Sequence, residues 1–352
     1  MNTPATISDV ASVSGVSRAT VSLVLNDKPG PSQATREKVR DAAAELGYRP
    51  DVRARRLRGA PSKCVALLTT VPTAVAGEES GFSFQLALAV PLSRLLMARG
   101  YSMLLLPPLG GDGGVSVMDG IDVDAAVIIE PRRNEPLSAE LRARGVLTVT
   151  VGDVPGLSVD AVVDRGYSGA DVALGHLVDR GARNIGVLIA AEDNSVSSNV
   201  EDYVRTVQSL EDSSSKVMFH VGRAPAGGGQ EAGRRSARDM LSEFPELDAI
   251  YAPTDVLALG VLQAARETAR VVPDDLLVCT NFDGPRAREA EPPLTCLDLD
   301  MTALAEACVE LLMSKVASPD KPVVRKQTPA PGLIARASTR GGGAEPSEIK
   351  AL

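Results

Sequence analysis

Two short helix signals separated by a glycine stand at the start of this chain and constrain what it can fold into. Residues 6–9 have the S/T-x-x-D/E form of a capping box, and the apolar-periodic segment that follows them includes Val13. Gly15 interrupts that segment, and Ser17 offers a second N-cap oxygen ahead of residues 18–25. Two short helices joined by a tight glycine-containing turn predict a helix-turn-helix, whose second helix fits the major groove of DNA. An ordinary amphipathic helix pair is the alternative.

A third helix and a basic segment follow this pair. Ser32 begins a segment with apolar residues at helical spacing, which Gly47 ends. Pro50 then breaks the chain. The next residues surround Ala54 and Leu57 with arginines, in a stretch too short to be a stable helix alone; they are Arg53, Arg55, Arg56 and Arg58.

Charge is unevenly distributed along the 352 residues. Residues 1–63 hold 11 Lys and Arg against 6 Asp and Glu, a net charge of +5. The formal net charge of the whole chain is −8, so residues 64–352 carry −13. A small basic head on an acidic body is typical of a protein that touches phosphate with one end only. We expect a cytoplasmic protein, because the sequence shows neither a secretory leader nor an apolar run of about 20 residues.

From Lys63 onward, short apolar strands alternate with helices. Strands are predicted at 64–68, 101–106, 125–129 and 146–151, and the pattern restarts with a helix at 169–180. Near-continuous apolar strands between helices predict parallel sheets covered on both faces. Two such series imply two α/β lobes, whose strand ends face a common cleft. The second series is predicted as strands at 185–190, 217–221, 249–252 and 276–280, with helices at 203–211, 230–244 and 256–268.

Other chemistries find little support in the sequence. The glycine runs at 110–114 and 227–229 lack the forms of known phosphate-binding loops. The acidic residues near strand ends, Glu130 and Asp153 among them, could suggest an acid–base pair, but the sequence supplies no nucleophile or metal site to accompany them. The four cysteines form no C-x-x-C pair and there are two histidines, so we expect no metal site, no cofactor and no enzyme activity.

The first sixty residues resemble the lactose/galactose-repressor family of transcription regulators. The matching positions include Asp9-Val10-Ala11, Gly15-Val16-Ser17, Thr20-Val21-Ser22, Leu25-Asn26 and Leu46-Gly47-Tyr48-Arg49-Pro50. The resemblance implies an all-α helix-turn-helix head at 1–50, a hinge helix and linker at 51–61, and an α/β regulatory domain of two lobes at 62–340, like a periplasmic binding protein. The chain would cross from one lobe to the other three times, near residues 160, 291 and 319. The tail at 341–352 is predicted to be disordered and lacks leucine heptads, which favours a homodimer.

The resemblance also implies roles in DNA binding. Arg18, Ala19 and Leu23 are predicted to face base edges, and phosphate contacts fall to Thr6, Ser17, Thr20, Ser22 and Asn26. Leu23 departs from the family, which commonly has a polar residue there; an apolar side chain suits a thymine methyl, or else it has turned into the core. In the hinge, Ala54 and Leu57 are implied to enter the minor groove, with Leu57 as the wedge. A plain basic linker is the alternative.

The effector site departs further from the family. Its usual arginine is Asn199 here, its Asn-Asp pair is Thr254-Asp255, and Leu299 replaces a polar residue. Asp283 matches the family's aspartate, in a segment one residue longer than usual. Losing several donors weakens a site for sugar hydroxyls, so we predict that the cleft binds something other than a pyranose sugar, or nothing. Our candidate effector residues are Asp164, Asn199, Asp255 and Asp283.

The sequence therefore predicts a dimeric, sequence-specific regulator, most readily a repressor, that binds a pseudopalindromic operator under the control of a small molecule. Two alternatives stay open. One is the same fold controlled by a protein partner or by its own concentration, without a small-molecule ligand. The other is a small-molecule binding protein of the periplasmic type, which the body alone would allow.

Overall fold

The structure is a computed structural model, and its described residues form two compact units, Met1–Ser62 and Lys63–Leu352. The described residues are 5–25, 28–48, 61–69, 73–107, 118, 120–133, 135–167, 169–191, 194–210, 217–225 and 228–340, with side chains from residue 84 onward in the helix that begins at Thr73 and up to residue 208 in the helix that ends at Leu210. Predictions for Asn26, Ala54, Leu57 and the tail at 341–352 lie outside these residues.

The first unit contains the predicted helices α1 (Ile7–Ser14), α2 (Arg18–Leu25) and α3 (Gln33–Glu45). Gly15 ends α1 in the left-handed region at φ 68°, which glycine adopts without steric cost. The three helices pack through small apolar side chains: Val10, Val21, Val24, Val39, Ala42 and Ala43. Val13, which the sequence pattern assigned to the packed face of α1, is instead half exposed: Ile7 and Ala11 pack beside Val10, and helical geometry places Val13 on the other side of Val10 from them.

Lobe 1 of the second unit is a six-stranded, wholly parallel sheet in the order β11-β5-β4-β3-β1-β2. Helices α4 and α11 cover one face through residues such as Leu92 and Leu312, and α5 covers the other through Leu137 and Leu141. The elements are β1 (Cys64–Thr69), α4 (Thr73–Met97), β2 (Ser102–Leu105), β3 (Ala125–Ile129), α5 (Pro136–Ala143), β4 (Leu147–Val151), β5 (Ala161–Asp164), α11 (Met301–Ala317) and β11 (Val324–Gln327).

Lobe 2 is a second six-stranded sheet, in the order β12-β10-β9-β8-β6-β7, which is parallel except that β12 runs antiparallel to β10. Helices α6 and α7 pack on one face, and α8 and α9 pack on the other. The elements are α6 (Ala170–Asp179), β6 (Asn184–Ala190), α7 (Ser195–Leu210), β7 (Met218–Ala224), α8 (Gly229–Glu243), β8 (Ala249–Tyr251), α9 (Asp255–Glu267), β9 (Leu277–Phe282), α10 (Pro285–Glu289), β10 (Thr295–Asp298) and β12 (Gly332–Ile334).

The chain passes between the lobes three times, but not at the positions expected from the sequence. The crossings lie at 165–169, 299–300 and 328–331, each several residues after the predicted 160, 291 and 319. Short strands account for the error, because β5 and β10 each add four residues to a sheet before the chain leaves it. Helix α7 also begins eight residues before the predicted 203.

Two glycines allow α8 and α9 to approach closely. A Cβ atom on Gly260 would lie 2.4 Å from the backbone nitrogen of Arg234 and 2.5 Å from the carbonyl oxygen of Gln230. A Cβ atom on Gly233 would lie 2.8 Å from the carbonyl oxygen of Leu257. Because these neighbours are backbone atoms, a larger residue cannot be accommodated by rotating a side chain.

We therefore predict that Gly260→Ala destabilises the protein by at least about 1–3 kcal/mol, because the two helices must separate. The matched control is Gly175→Ala in α6, where a Cβ meets no atom within 4 Å. The control should stabilise by about 0.5–1 kcal/mol, since alanine restricts the unfolded chain. Urea unfolding followed by circular dichroism measures both variants, and equal effects would contradict this account of the helix crossing.

Candidate DNA-reading helix and interlobe cleft

Helix α2 presents a mixed surface to solvent. Arg18, Ala19 and Leu23 are exposed, whereas Val21 and Val24 are buried against the other two helices. Leu23 is 39% exposed, so it has not turned into the core. Three of the predicted DNA-binding residues therefore lie on the outer face of one helix, where a groove could reach them.

The predicted phosphate-binding residues near the helix starts also organise those starts. The Ser17 hydroxyl oxygen accepts a hydrogen bond from the backbone N–H of Thr20 at 3.1 Å. The Thr6 hydroxyl oxygen accepts one from the backbone N–H of Asp9, whose carboxylate accepts from the Thr6 backbone N–H at 2.7 Å. That second bond holds the pKa of Asp9 below its usual value. The polar residues thus fix the backbone amides that a phosphate oxygen would approach.

The two lobes touch directly across the cleft at the carboxyl ends of their strands. The backbone N–H of Ser195, at the start of α7, donates to the carbonyl oxygen of Pro131, which follows β3. A Cβ atom on Gly152 would lie 2.3 Å from Ser195 Oγ, so this contact leaves no room for a larger residue. Ser195 Oγ is buried and has no hydrogen-bond partner among the residues that the structure describes.

Aromatic and charged side chains meet at the centre of the cleft. Phe84 of α4 and Phe282 at the end of β9 form an edge-to-face pair with ring centroids 5.6 Å apart, so one ring comes from each lobe. The guanidinium of Arg165, in the first crossing, lies 5.3 Å from the centre of the Phe84 ring. Among the described residues, its ion-pair partner is Glu130, at an N–O distance of 3.7 Å.

Lobe 2 adds a buried polar pair beneath these residues. The Tyr251 hydroxyl donates a hydrogen bond of 2.5 Å to the Asn281 side-chain oxygen, and both residues are at most 4% exposed. Burial raises the pKa of Tyr251 well above its usual value, so the hydroxyl keeps its proton and stays a donor.

Two predicted effector residues lie at the edges of this arrangement. Asp164, the last residue of β5, accepts a hydrogen bond of 2.8 Å from the backbone N–H of Gly166, and its carbonyl oxygen accepts from the N–H of Thr328. It therefore ties the first crossing to the third. Asn199 lies partly buried in the second turn of α7.

Asp255, another predicted effector residue, is 4% exposed at the start of α9. One carboxylate oxygen accepts from the backbone N–H of Val256 at 2.8 Å, and Oδ2 has no hydrogen-bond partner within the described ranges. Burial raises the pKa of Asp255, although the charge of Arg286 opposes that shift. A Cβ on Gly284 would lie near both Asp255 Oδ2 and the Phe282 ring, which places this oxygen beside the aromatic pair.

Asp283, the fourth predicted effector residue, is engaged by protein cations. Arg288 donates to both of its carboxylate oxygens at 3.0 and 2.8 Å, and Arg336 donates to Oδ1 at 2.6 Å. Burial raises the pKa of Asp283, but these hydrogen bonds outweigh burial and hold that pKa below its usual value. In this segment it is Phe282, one residue earlier, that contacts the opposite lobe.

Sequence reasoning did not single out Phe84, Arg165 or Phe282. A weak signal existed for two of them: Arg165 directly follows the predicted strand-end Asp164, and the one-residue irregularity around Asp283 leaves open which neighbour faces the cleft. Phe84 gave no signal, because an aromatic residue at helical spacing is more often part of a core.

The described residues bring together no group of histidine, cysteine and carboxylate side chains that could hold a metal ion. Within the same residues, no helix has both the length and the apolar character needed to cross a membrane.

The combination of a helix-turn-helix head and a two-lobed α/β unit with a central cleft defines a DNA-binding transcriptional regulator of the binding-protein type. Comparison with known proteins agrees: residues 6–51 match the family model of bacterial regulatory proteins, lacI family, and residues 174–339 match a periplasmic binding protein-like domain. The regulator MalR of Streptomyces coelicolor is 30% identical over 354 residues, covering 95% of this chain and 96% of its own. CelR of Thermobifida fusca is 28% identical over 329 residues, covering 91% of this chain and 94% of its own.

Solved structures show the same architecture. A transcriptional regulator CelR–cellobiose complex matches with a TM-score of 0.65 and 25% identity, covering 95% of this chain and 99% of that one. The lac repressor dimer bound to operator and the anti-inducer ONPF matches with a TM-score of 0.70 and 23% identity, covering 96% and 100%. The chain belongs to the lacI family of bacterial regulatory proteins.

We predict that Asp283→Asn destabilises the protein at neutral pH by about 1–3 kcal/mol, because the charged hydrogen bonds from Arg288 and Arg336 are weakened. The folded-state pKa of Asp283 is lowered, so its contribution is present above the unfolded-state value of about 3.9 and is lost as pH falls through the folded-state pKa. The difference between variant and wild type should therefore shrink in acid.

Chemical denaturation at a series of pH values measures this difference. Asp239→Asn, at an exposed position of α8, is the control. If Asp283→Asn leaves stability unchanged while the same change abolishes binding of an effector, then Asp283 serves the ligand rather than the fold.

Proposed function

We propose that this chain is a repressor that binds a pseudopalindromic operator as a homodimer, with α2 of each head in the major groove. The observation that carries the proposal is the outward placement of Arg18, Ala19 and Leu23 on α2. Arg18 can donate two hydrogen bonds to a guanine, and Leu23 offers an apolar surface for a thymine methyl. The hinge residues Ala54 and Leu57 complete the proposed interface in the minor groove. Such a protein acts in the cytoplasm and catalyses no reaction.

The dimer proposal is supported by an exposed apolar stripe on α4. Leu86, Val90 and Met97 are 47, 62 and 71% exposed, and their spacing places them on one face of the helix. Contiguous exposed apolar side chains often mark an interaction surface, whereas single apolar residues scattered over a surface are normal. A second copy is the proposed occupant, because a two-fold axis through such a contact would present two heads to a pseudopalindromic site.

We propose further that a small molecule other than a pyranose sugar controls this regulator through the cleft. Where sugar recognition would use polar side chains, the cleft has the Phe84–Phe282 pair. Two buried oxygens, Ser195 Oγ and Asp255 Oδ2, lack partners among the described residues. A buried polar atom without a partner costs about 1–3 kcal/mol, so its presence favours a ligand-controlled regulator over the ligand-free alternative.

We predict that Arg18→Ala lowers operator affinity by about 1–3 kcal/mol and relaxes specificity at one base pair. Fluorescence anisotropy on DNA selected from genomic fragments, with each base pair changed in turn, measures the effect. Arg99→Ala removes an exposed arginine that donates a hydrogen bond to the carbonyl oxygen of Leu95 in α4, and it should leave affinity unchanged. An equal loss on every operator variant would identify Arg18 as a phosphate contact and refute its assignment to base readout.

We predict that Val90→Asp weakens the dimer, because a charge placed in an apolar contact must be desolvated. Sedimentation equilibrium should show a lower association constant, and operator affinity should fall with it. Val323→Asp, at a position that is 49% exposed next to β11, is the matched control and should leave both unchanged. A Val90→Asp variant that remains fully dimeric would exclude this face as the dimer contact.

A further inference from the structure

Arg165 is a buried cation to which the described residues offer no hydrogen-bond acceptor within reach. Its side chain is 8% exposed, and within the part of the chain that the structure describes none of its N–H groups donates a hydrogen bond. Its polar neighbour, Glu130 Oε1, lies at 3.7 Å, which is too far for a hydrogen bond. The Phe84 ring covers one face of the guanidinium and supplies a cation–π contact. A guanidinium presents five N–H donors in a planar fork. The Phe84 ring thus positions the guanidinium of Arg165, and its N–H groups can still donate to a ligand.

Glu130 is a poor permanent partner for this cation. Its backbone has φ 49°, a left-handed conformation that a non-glycine residue adopts at a cost of about 1–3 kcal/mol. Burial raises its pKa, although the charge of Arg165 opposes that shift. The Glu130 carboxylate therefore partly neutralises the charge of Arg165 without accepting a hydrogen bond from it. The N–H groups of the guanidinium can still donate to another acceptor.

Space for such an acceptor lies beside Arg165. A cavity of about 260 Å³ lies at the first and third crossings, and its lining includes Arg165, Gly166, Tyr167, Leu299, Gln327 and Thr328. The volume is below the range of about 300–1,000 Å³ usual for drug-sized ligands, so it suits a molecule about the size of one ring. Asp171 also lines the cavity, and its charge opposes an anion there. It is exposed whereas the Arg165 side chain is buried, so the high effective dielectric constant near the surface makes its effect weaker than that of Arg165.

We propose that Arg165 anchors the effector and that the effector is a small aromatic carboxylate. This inference rests on the proposed function of a ligand-controlled regulator and specifies its ligand class. A carboxylate matches the guanidinium fork with two parallel hydrogen bonds. The apolar lining of the cavity, which includes Tyr167, Leu299 and Pro331, offers a surface to a flat ring carrying that carboxylate. A neutral sugar would leave the buried cation without the strong acceptor that it lacks.

The test compares benzoate, 4-hydroxybenzoate, phenylacetate and cinnamate with the isosteric neutral benzamide, and with glucose and cellobiose. Calorimetry and thermal shift on the full chain measure binding, and anisotropy measures release of selected operator DNA. At least one carboxylate should bind with millimolar or better affinity, and benzamide should bind more weakly than benzoate by about tenfold or more. Arg165→Met should abolish carboxylate binding, whereas Arg205→Met, at an exposed arginine of α7, should leave it unchanged.

Two further variants keep the test decisive if Arg165→Met does not fold. Arg165→Lys keeps the charge but loses the fork, and it should weaken carboxylate binding by about tenfold. Glu130→Gln removes the competing negative charge, and it should tighten binding instead. A merely structural Glu130–Arg165 pair would make both variants less stable without changing affinity in opposite directions.

Several outcomes overturn the proposal. They are equal binding of benzoate and benzamide, binding unchanged in Arg165→Lys, binding of glucose or cellobiose alone, and no binding of any carboxylate at about 10 mM, a weaker affinity than any effector of this kind would need. Operator binding without ligand is measured in parallel. If it is intact while carboxylates do not bind, the ligand class is wrong and the DNA-binding function stands; if operator binding itself is absent, the proposed function fails.

Discussion

The direction of the strands is the constraint on which the regulatory unit depends. The strands of lobe 1 are all parallel and those of lobe 2 nearly so, which places the loops that follow them on the same side of each sheet. The chain must therefore leave a sheet near the cleft whenever it changes lobe, as it does after β5, β10 and β11. The first crossing, which contains Arg165, therefore lies beside the cleft. A ligand that binds Arg165 would contact a segment that joins the two lobes.

The head could be predicted closely from the sequence because its determinants are local. A capping oxygen at Thr6, a left-handed glycine at position 15 and the cap at Ser17 each act within one helical turn, and α2 was placed at its observed bounds. The crossings were misplaced because a four-residue strand such as β5 is specified by its neighbours in the sheet rather than by its own pattern.

The centre of the cleft could not be predicted, for a related reason. A strand that ends one residue later moves the cleft-facing position from one side chain to the next, because successive side chains point to opposite faces. The sequence favoured Asp283 as the cleft residue, but β9 ends at Phe282, and the carboxylate of Asp283 instead pairs with Arg288 and Arg336. The pairing of Phe84 with Phe282 joins positions almost two hundred residues apart, which no local pattern records.

Buried polar atoms of the cleft would give a ligand different affinities for different arrangements of the lobes. Asp255 Oδ2 and Ser195 Oγ lie without partners among the described residues, and Arg165 donates no hydrogen bond to any of those residues. A ligand can shift an equilibrium between lobe arrangements only by the difference in its affinity for them. Satisfying these groups in one arrangement and not in another supplies such a difference, and each satisfied group contributes about 1–3 kcal/mol. Because a coupling of 1–3 kcal/mol already changes affinity by about 5- to 150-fold, two such groups would be enough to couple binding of the proposed effector to DNA binding.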